Sequence, residues 1–439
     1  MKYLPTILTQ ITVGMAITLS ISQAPAIAAS LVRKNVIDLT PQEKTDFVDA
    51  IKTLKKTPGT NNNQVSIYDE FVSLHTGAMT FSTMKLGGQI TLPQDTPPTG
   101  PAAGVGAAHD NGAFLPWHRE YLSRFEKALQ SVNANVTLPY WDWTDPQSVD
   151  VIFQPDFLGT NGSGQPVEIP GTGIILEGGP VQSGNFSNAD GWDVIPELHS
   201  YIATAETLGS SVVRYLAPDS NPPGLRFPLD KAEADRILES ENYHSFRAFV
   251  EGEITIDENG DEQICIDFPC THNLVHGLVG GTILNPSDPN IPIRTLGTMS
   301  NTPGSPNDPL FFLLHSNVDR LWAEWQNDNR QGKEFYSEPG TEPYGHNIND
   351  RMWPWDGGDS IPGSVGSIDI KPYLPLIKPK DIVTPVDTLN ISNYGYTYDT
   401  IANTGQVTTI PETSSTFGFL SLGILGAICL KQRKHFSRS

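Results

Sequence analysis

Apolar residues recur at helical spacing along much of this chain. In Asp38-Leu39-Thr40-Pro41 with Glu43, Thr40 can cap a helix, Pro41 can take its first position and Glu43 its third, and the pattern predicts a helix to about Lys56. A second predicted helix, from about Gln64 to Met79, sets Ile67, Phe71 and His75 on one face at steps of four. Pro116 can open a third, whose inward face is His118, Leu122, Phe125 and Leu129. A longer one, from about Lys231 to Ile256 and broken near Gly252, carries Phe246, Phe249 and Val250 toward the core. After the turn Ser305-Pro306-Asn307-Asp308-Pro309, the run from Leu310 to about Asn327 repeats Phe311, Phe312, His315, Val318, Asp319, Trp322 and Trp325 with helical period.

The remaining stretches lack that period. Leu138-Pro139-Tyr140-Trp141-Asp142-Trp143 reads as a short buried extended segment, and Leu92 to Gly106 as a loop rich in Pro and Gly. Gly159 to Asn188, rich in Gly, Pro, Ser and Asn, reads as a long surface loop of the kind a compact domain tolerates near a functional site. From the end of the Leu310 helix to about Asp399 the chain looks mostly irregular, with a few strands such as Val365 to Ile370. The fold class is therefore mainly α, with a four-helix bundle core, long loops and few short strands, and no repeat of fixed period.

The histidines turn this pattern into chemistry. His272 and His276 stand four apart in Thr271-His-Asn-Leu-Val-His276, so a helix stacks both imidazoles on one face. Such a pair alone is more often a surface or core feature than a ligand pair, and Asn273 stands where a zinc-protease helix needs its Glu. The wider count changes the balance. Six of the ten histidines, His75, His109, His118, His272, His276 and His315, sit where apolar-faced helices could converge. Each buried imidazole left unpaired costs roughly 1 to 3 kcal/mol, and a metal resolves that for all of them. All-imidazole coordination suits copper or zinc, and two groups of three suit a pair of ions inside a helix bundle.

Charge and cysteines narrow the setting. The 439 residues carry 49 acidic and 28 basic side chains, a formal charge of −21, too acidic for nucleic acid or an anionic membrane surface to be the partner. Lys2, the apolar run Ile7 to Ile21 and the small residues Ala24 to Ala29 read as a secretory signal peptide over residues 1–29. In an exported protein Cys265 and Cys270 either close a short disulfide loop or remain buried thiols. At the other end Ile410-Pro411-Glu412-Thr413 precedes the apolar run Phe417 to Leu430 and a basic tail, Lys431, Arg433, Lys434 and Arg438. That order resembles a PEP-CTERM sorting signal, with Thr413 at its third position, cleaved by an exosortase at the envelope; a marginal membrane anchor is the alternative. The expected division is a leader over 1–29, one catalytic domain over 30–400 and a linker with the sorting segment over 401–439, in a protein exported to the outside or the cell envelope of a bacterium.

Several long motifs carry a family resemblance. Phe-Leu-Pro-Trp-His118-Arg-Glu-Tyr-Leu, Leu-Pro-Tyr-Trp-Asp-Trp143, His272-Asn-Leu-Val-His-Gly-Leu-Val-Gly-Gly and Asn-Asp-Pro-Leu-Phe-Phe-Leu-Leu-His315-Ser-Asn-Val-Asp-Arg-Leu-Trp resemble the signatures of the type-three copper proteins: tyrosinases, catechol oxidases and mollusc hemocyanins. The resemblance implies a dinuclear copper site, with His75, His109 and His118 on the first ion, His272, His276 and His315 on the second, and molecular oxygen as co-substrate. It also matches Arg33 and Tyr396-Thr-Tyr398 to the family's contact between the two ends of the catalytic domain, and Glu251 with Asn273 to the pair that holds a water for deprotonating monophenols. The insertion Glu253 to Pro269 separates Glu251 further from His272 than in bacterial tyrosinases, so Glu251 reaches the site only if that insertion bulges outward; otherwise it is a solvated helix-end carboxylate.

Two positions depart from the family: Leu314 stands where a second histidine usually precedes the last ligand, and Ala107 where plant and fungal members place a crosslinked cysteine. Gly277, after the second ligand, leaves room for a bulky ring, with Met299 to Ser305 setting access. The implied function is oxygen-dependent oxidation of phenols, catechols or both to o-quinones, on small phenolic substrates and with a copper-delivery helper as a candidate partner. An oxidase of catechols or o-aminophenols without monophenol hydroxylation, a hemocyanin-like oxygen carrier and a zinc-binding envelope scaffold are the alternatives.

Overall fold

The computed structural model describes residues 31–61, 65–80, 84–85, 107–109, 111–169, 173–199, 208–216, 229–256, 262–265, 270–285, 288–330, 336, 347–358, 360–361 and 369–402. The leader over 1–29, the loop Leu92 to Gly106, most of the Val365 to Ile370 strand and the sorting segment with Cys429 lie outside the described residues. Among the described residues no helix is long and apolar enough to cross a membrane.

Local signals set most helix limits. α1 (Pro41–Lys56) has the reciprocal cap the sequence implies, Thr40 accepting from the Glu43 N–H while the Glu43 carboxylate accepts from the Thr40 N–H. α2 (Ile67–Thr80) follows, then α3 (Phe114–Val132), which begins two residues ahead of Pro116. Proline is tolerated there because first-turn N–H groups have no partner inside the helix. α4 (Pro146–Ile152) is short and capped by Asp145.

The helix expected over Lys231 to Ile256 does break at Gly252, and it is already divided before that, into α5 (Lys231–Leu238) and α6 (Tyr243–Glu251). Asn242 caps the second by accepting from the Ser245 N–H, and such a residue stops one helix as readily as it starts the next. Gly252 ends α6 at φ 101°, and a Cβ there would stand 2.0 Å from the Cys270 carbonyl oxygen, so only glycine fits. The chain then runs as strand Ile254–Ile256, paired antiparallel with Glu262–Ile264. α7 (Thr271–Gly280) and α8 (Leu310–Asn327) carry the remaining motif histidines.

Aromatic packing joins α2, α3 and α8. Phe125 stacks on Phe312 with ring centroids 3.5 Å apart, and Phe71 sets its edge against Tyr121 and Phe125. α6 joins the other flank of α8 through Phe246, stacked on Trp325. Gly159 to Asn188 is not the solvent-facing loop its composition suggested. It forms small pairings, Val167–Glu168 with Ile175–Leu176 and Gly179–Pro180 with Val213–Arg214, and it buries Leu176, Val181 and Phe186. A few apolar residues spaced among glycines anchored it where helical period gave no signal.

The two ends of the described chain meet. Leu31–Arg33 pairs in parallel with Tyr396–Tyr398. Arg33 is fully buried, donates to Glu126, Asp319 and Tyr398, and lies 3.5 Å over the Tyr396 ring. Burial pushes the Asp319 carboxyl up, but Arg119 and Arg33 outweigh it and hold the group below the ordinary aspartate value.

Candidate metal centre

All six motif histidines are buried and meet at one place. His75 comes from α2, His118 from the first turns of α3, His109 from the turn before it, His272 and His276 from α7 and His315 from α8. The ring of His75 lies 5.2 Å from that of His109 and 5.7 Å from that of His118; His272 lies 4.6 Å from both His276 and His315. His315 stands between the groups: it stacks on His118 at 4.3 Å, and its donor nitrogens cluster with those of His75 and His118 as well as with those of His272 and His276. His109 reaches its group by ring contact and is not part of that tighter nitrogen cluster.

Backbone carbonyls fix how four of these rings are protonated. The Nδ1–H of His75 donates to Pro303 O (3.0 Å), that of His118 to Phe114 O (2.8 Å), that of His272 to Glu251 O (3.1 Å) and that of His276 to Met299 O (2.8 Å). A carbonyl can only accept, so each of these neutral rings keeps its proton on Nδ1 and offers a bare Nε2 inward. Yet the His272 Nε2 lies 3.1 Å from both the His276 and His315 Nε2 atoms. Two lone pairs facing at that distance repel unless a cation joins them.

Protonation does not supply that cation near neutral pH. Burial pushes His75 down to about 3 and His276 to about 4, and burial with the neighbouring imidazoles holds His109, His118, His272 and His315 well below the usual histidine value. Four further ring nitrogens, His75 Nε2, His118 Nε2, His109 Nδ1 and His315 Nδ1, are buried with no hydrogen-bond partner. Orphaned neutral nitrogens, an all-imidazole set and carbonyl-fixed tautomers together fit borderline metals such as copper.

Glu251 is buried, which excludes the solvated reading. Its backbone carbonyl orients His272, while its carboxylate accepts from the Arg247 guanidinium at 2.7 Å, and Arg247 also binds Glu253. Asn273 is half-buried on α7, directly after His272. Cys265 and Cys270 form a disulfide, tying the end of the hairpin strand Glu262–Ile264 to the N-cap residue of α7. Leu314 is wholly buried in the apolar core, and a Cβ on Gly277 would meet only Thr282.

Residue type does not mark the carbonyls of Phe114, Glu251, Met299 and Pro303, since any residue supplies one, and the sequence reading missed Arg247 as well. Its one available signal was the spacing Arg247 to Glu251, an i, i+4 ion pair on α6.

Residues 65–328 match the family described as the common central domain of tyrosinase. The tyrosinase of Streptomyces glaucescens is 31% identical over 335 residues, which cover 74% of this chain and 92% of its own. Grixazone synthase of Streptomyces griseus subsp. griseus is 29% identical over 343 residues, 74% of this chain and 93% of its own. Among solved structures, the tyrosinase of Burkholderia thailandensis aligns at 19% identity over 84% of this chain and 74% of that one, with a TM-score of 0.47. The family match spans every one of the six histidines, and the chain belongs to the tyrosinase family of dinuclear copper proteins.

Proposed function

We propose that the protein oxidises phenols and catechols to o-quinones with molecular oxygen, and that His75, His109 and His118 hold one copper while His272, His276 and His315 hold the other. The observation that carries this reading is the convergence of the bare Nε2 atoms of His272 and His276, whose Nδ1 protons are committed to backbone carbonyls. A copper pair held by these residues would supply oxygen activation and the two-electron oxidation of the aromatic ring. The chain supplies the rest. Burial keeps the imidazoles neutral, the carbonyls aim them, and Phe114 and Phe311, whose rings contact His118, His272 and His315, keep water from the centre.

Glu251 and Asn273 are proposed to hold the water that takes the proton of a monophenol. A second reading, an oxidase of catechols or o-aminophenols without that hydroxylation, is favoured by the commitment of the Glu251 carboxylate to Arg247. Initial rates on tyrosine and on a catechol separate them. Turnover of both, with Glu251→Gln losing tyrosine turnover alone, supports the first; catechol turnover alone supports the second. Reversible oxygen binding with neither substrate consumed would make the protein a hemocyanin-like carrier and overturn both.

Export, a copper-delivery helper and exosortase processing complete the proposal, supported by the Ile7 to Ile21 run and the Pro411-Glu412 motif with its apolar and basic successors. An intact mass placing the mature N-terminus near Ala28 or Ala29, before the 30–400 domain, is the expected result; a retained leader would contradict it.

A further inference from the structure

One buried histidine plays no part in the centre just described. His199 is fully buried at the end of a short 3-10 turn, Pro196–His199. Its Nδ1 lies 3.0 Å from Gly209 O, and its Nε2 lies 2.9 Å from Thr298 Oγ1. Because the carbonyl can only accept, Nδ1 carries the proton and Nε2 is bare; the Thr298 hydroxyl therefore donates to Nε2, and its oxygen accepts from the Val213 N–H at 2.8 Å. Only one arrangement of protons satisfies all three contacts.

Thr298 belongs to the loop that aims the motif histidines. The residue after it, Met299, offers the carbonyl that fixes His276, and Pro303 offers the one that fixes His75 and also takes the Thr76 hydroxyl. One loop thus orients a histidine from each group. The segment carrying His199 clamps it along its length: Thr298 N–H donates to Val213 O, Asn307 Nδ2 donates to Leu198 O, and Arg214 grips Asp308 with two hydrogen bonds, of 2.7 and 2.8 Å. Contact is close enough that a Cβ on Gly297 would stand 2.5 Å from Val213 O.

We propose that His199 is a positioning residue for both halves of the centre, acting through Thr298 to fix the loop whose Met299 and Pro303 carbonyls orient His276 and His75. This rests on the copper reading of the site. A buried imidazole at this point has a specific value: it accepts the Thr298 proton at one end and anchors to Gly209 at the other, which an apolar residue cannot do. Outer partners of this kind commonly change metal affinity by 10–100-fold.

The test is release of copper from the loaded protein to a chelator, followed by metal analysis. Replacing His199→Phe or Thr298→Val should speed the release of both ions about 10–100-fold. His199→Gln, which keeps an acceptor within reach of the Thr298 hydroxyl, should stay within about threefold of wild type, below the 10–100-fold range expected on loss of the partner. A remote core substitution, Ile51→Val, should lower the melting temperature without changing release. If His199→Phe fails to fold, the near-isosteric Thr298→Val decides alone. Wild-type release rates in Thr298→Val, acceleration of one ion only, or equal acceleration by Ile51→Val would overturn the inference. A wild-type protein that retains no copper would instead overturn the reading on which it rests.

Discussion

At the scale of residues, the centre is governed by where protons sit. Four imidazoles give their Nδ1 proton to a carbonyl, and burial keeps all six neutral well below the pH at which an exposed histidine charges. That fixes a pH dependence for the metal-free protein. His75 and His276 titrate near 3 and 4 when folded but near 6.5 when unfolded, so between those limits the unfolded chain binds more protons. Stability is therefore complete above pH 6.5 and falls as the pH drops toward 4. Melting temperatures of metal-free protein at pH 7.5 and 5 should show a clear drop, and no change would contradict neutral burial. His276→Ala should leave about one copper per chain, with oxidation of a catechol reduced at least about a hundredfold, more than loss of an outer partner alone; metal analysis and initial rates read both. The six histidines were legible because their side chains carry the chemistry. The four carbonyls were not, because an acceptor far along the chain leaves no mark on residue type.

At the scale of elements, the start of α7 is held by two devices. The Cys265–Cys270 disulfide anchors its start, and Gly252, which no larger residue can replace without meeting the Cys270 carbonyl, lets α6 end directly beside it. Opening that short loop by Cys265→Ser with Cys270→Ser should lower stability by about 2 kcal/mol, the loop-entropy value for so short a closure, readable in denaturant unfolding. The seam between α3 and α8 depends on Phe125 stacked on Phe312. Phe312→Ala should cost about 3–5 kcal/mol in the same measurement. Helices α1, α2 and α8 could be read from caps and period, because each presents one continuous apolar face. The split between α5 and α6 could not, since both carry inward residues at compatible spacing and the break depends on Asn242 capping backbone rather than on a change of pattern. The fold of Gly159 to Asn188 was hidden for the converse reason: its anchors, Leu176, Val181 and Phe186, are too sparse to make a period.

For the whole molecule, closure and catalysis share α8. Asp319, one turn beyond His315, accepts from Arg33, Arg119, Tyr396 and Tyr398 and so links both ends of the described chain to the helix that stands between the two histidine groups. Arg33→Met would leave Glu126 and Asp319 buried without this partner, and should cost about 3–5 kcal/mol in denaturant unfolding. Above all, the six histidines must hold two coppers that oxidise a phenolic ring. The most direct measurement is metal analysis of purified protein after copper loading and dialysis, with quinone formation from a catechol followed on the same sample. Two coppers per chain, lost together with quinone formation when a copper chelator removes them, is the expected result. A protein that retains neither ion, or that forms quinone at an unchanged rate once stripped of copper, would contradict it.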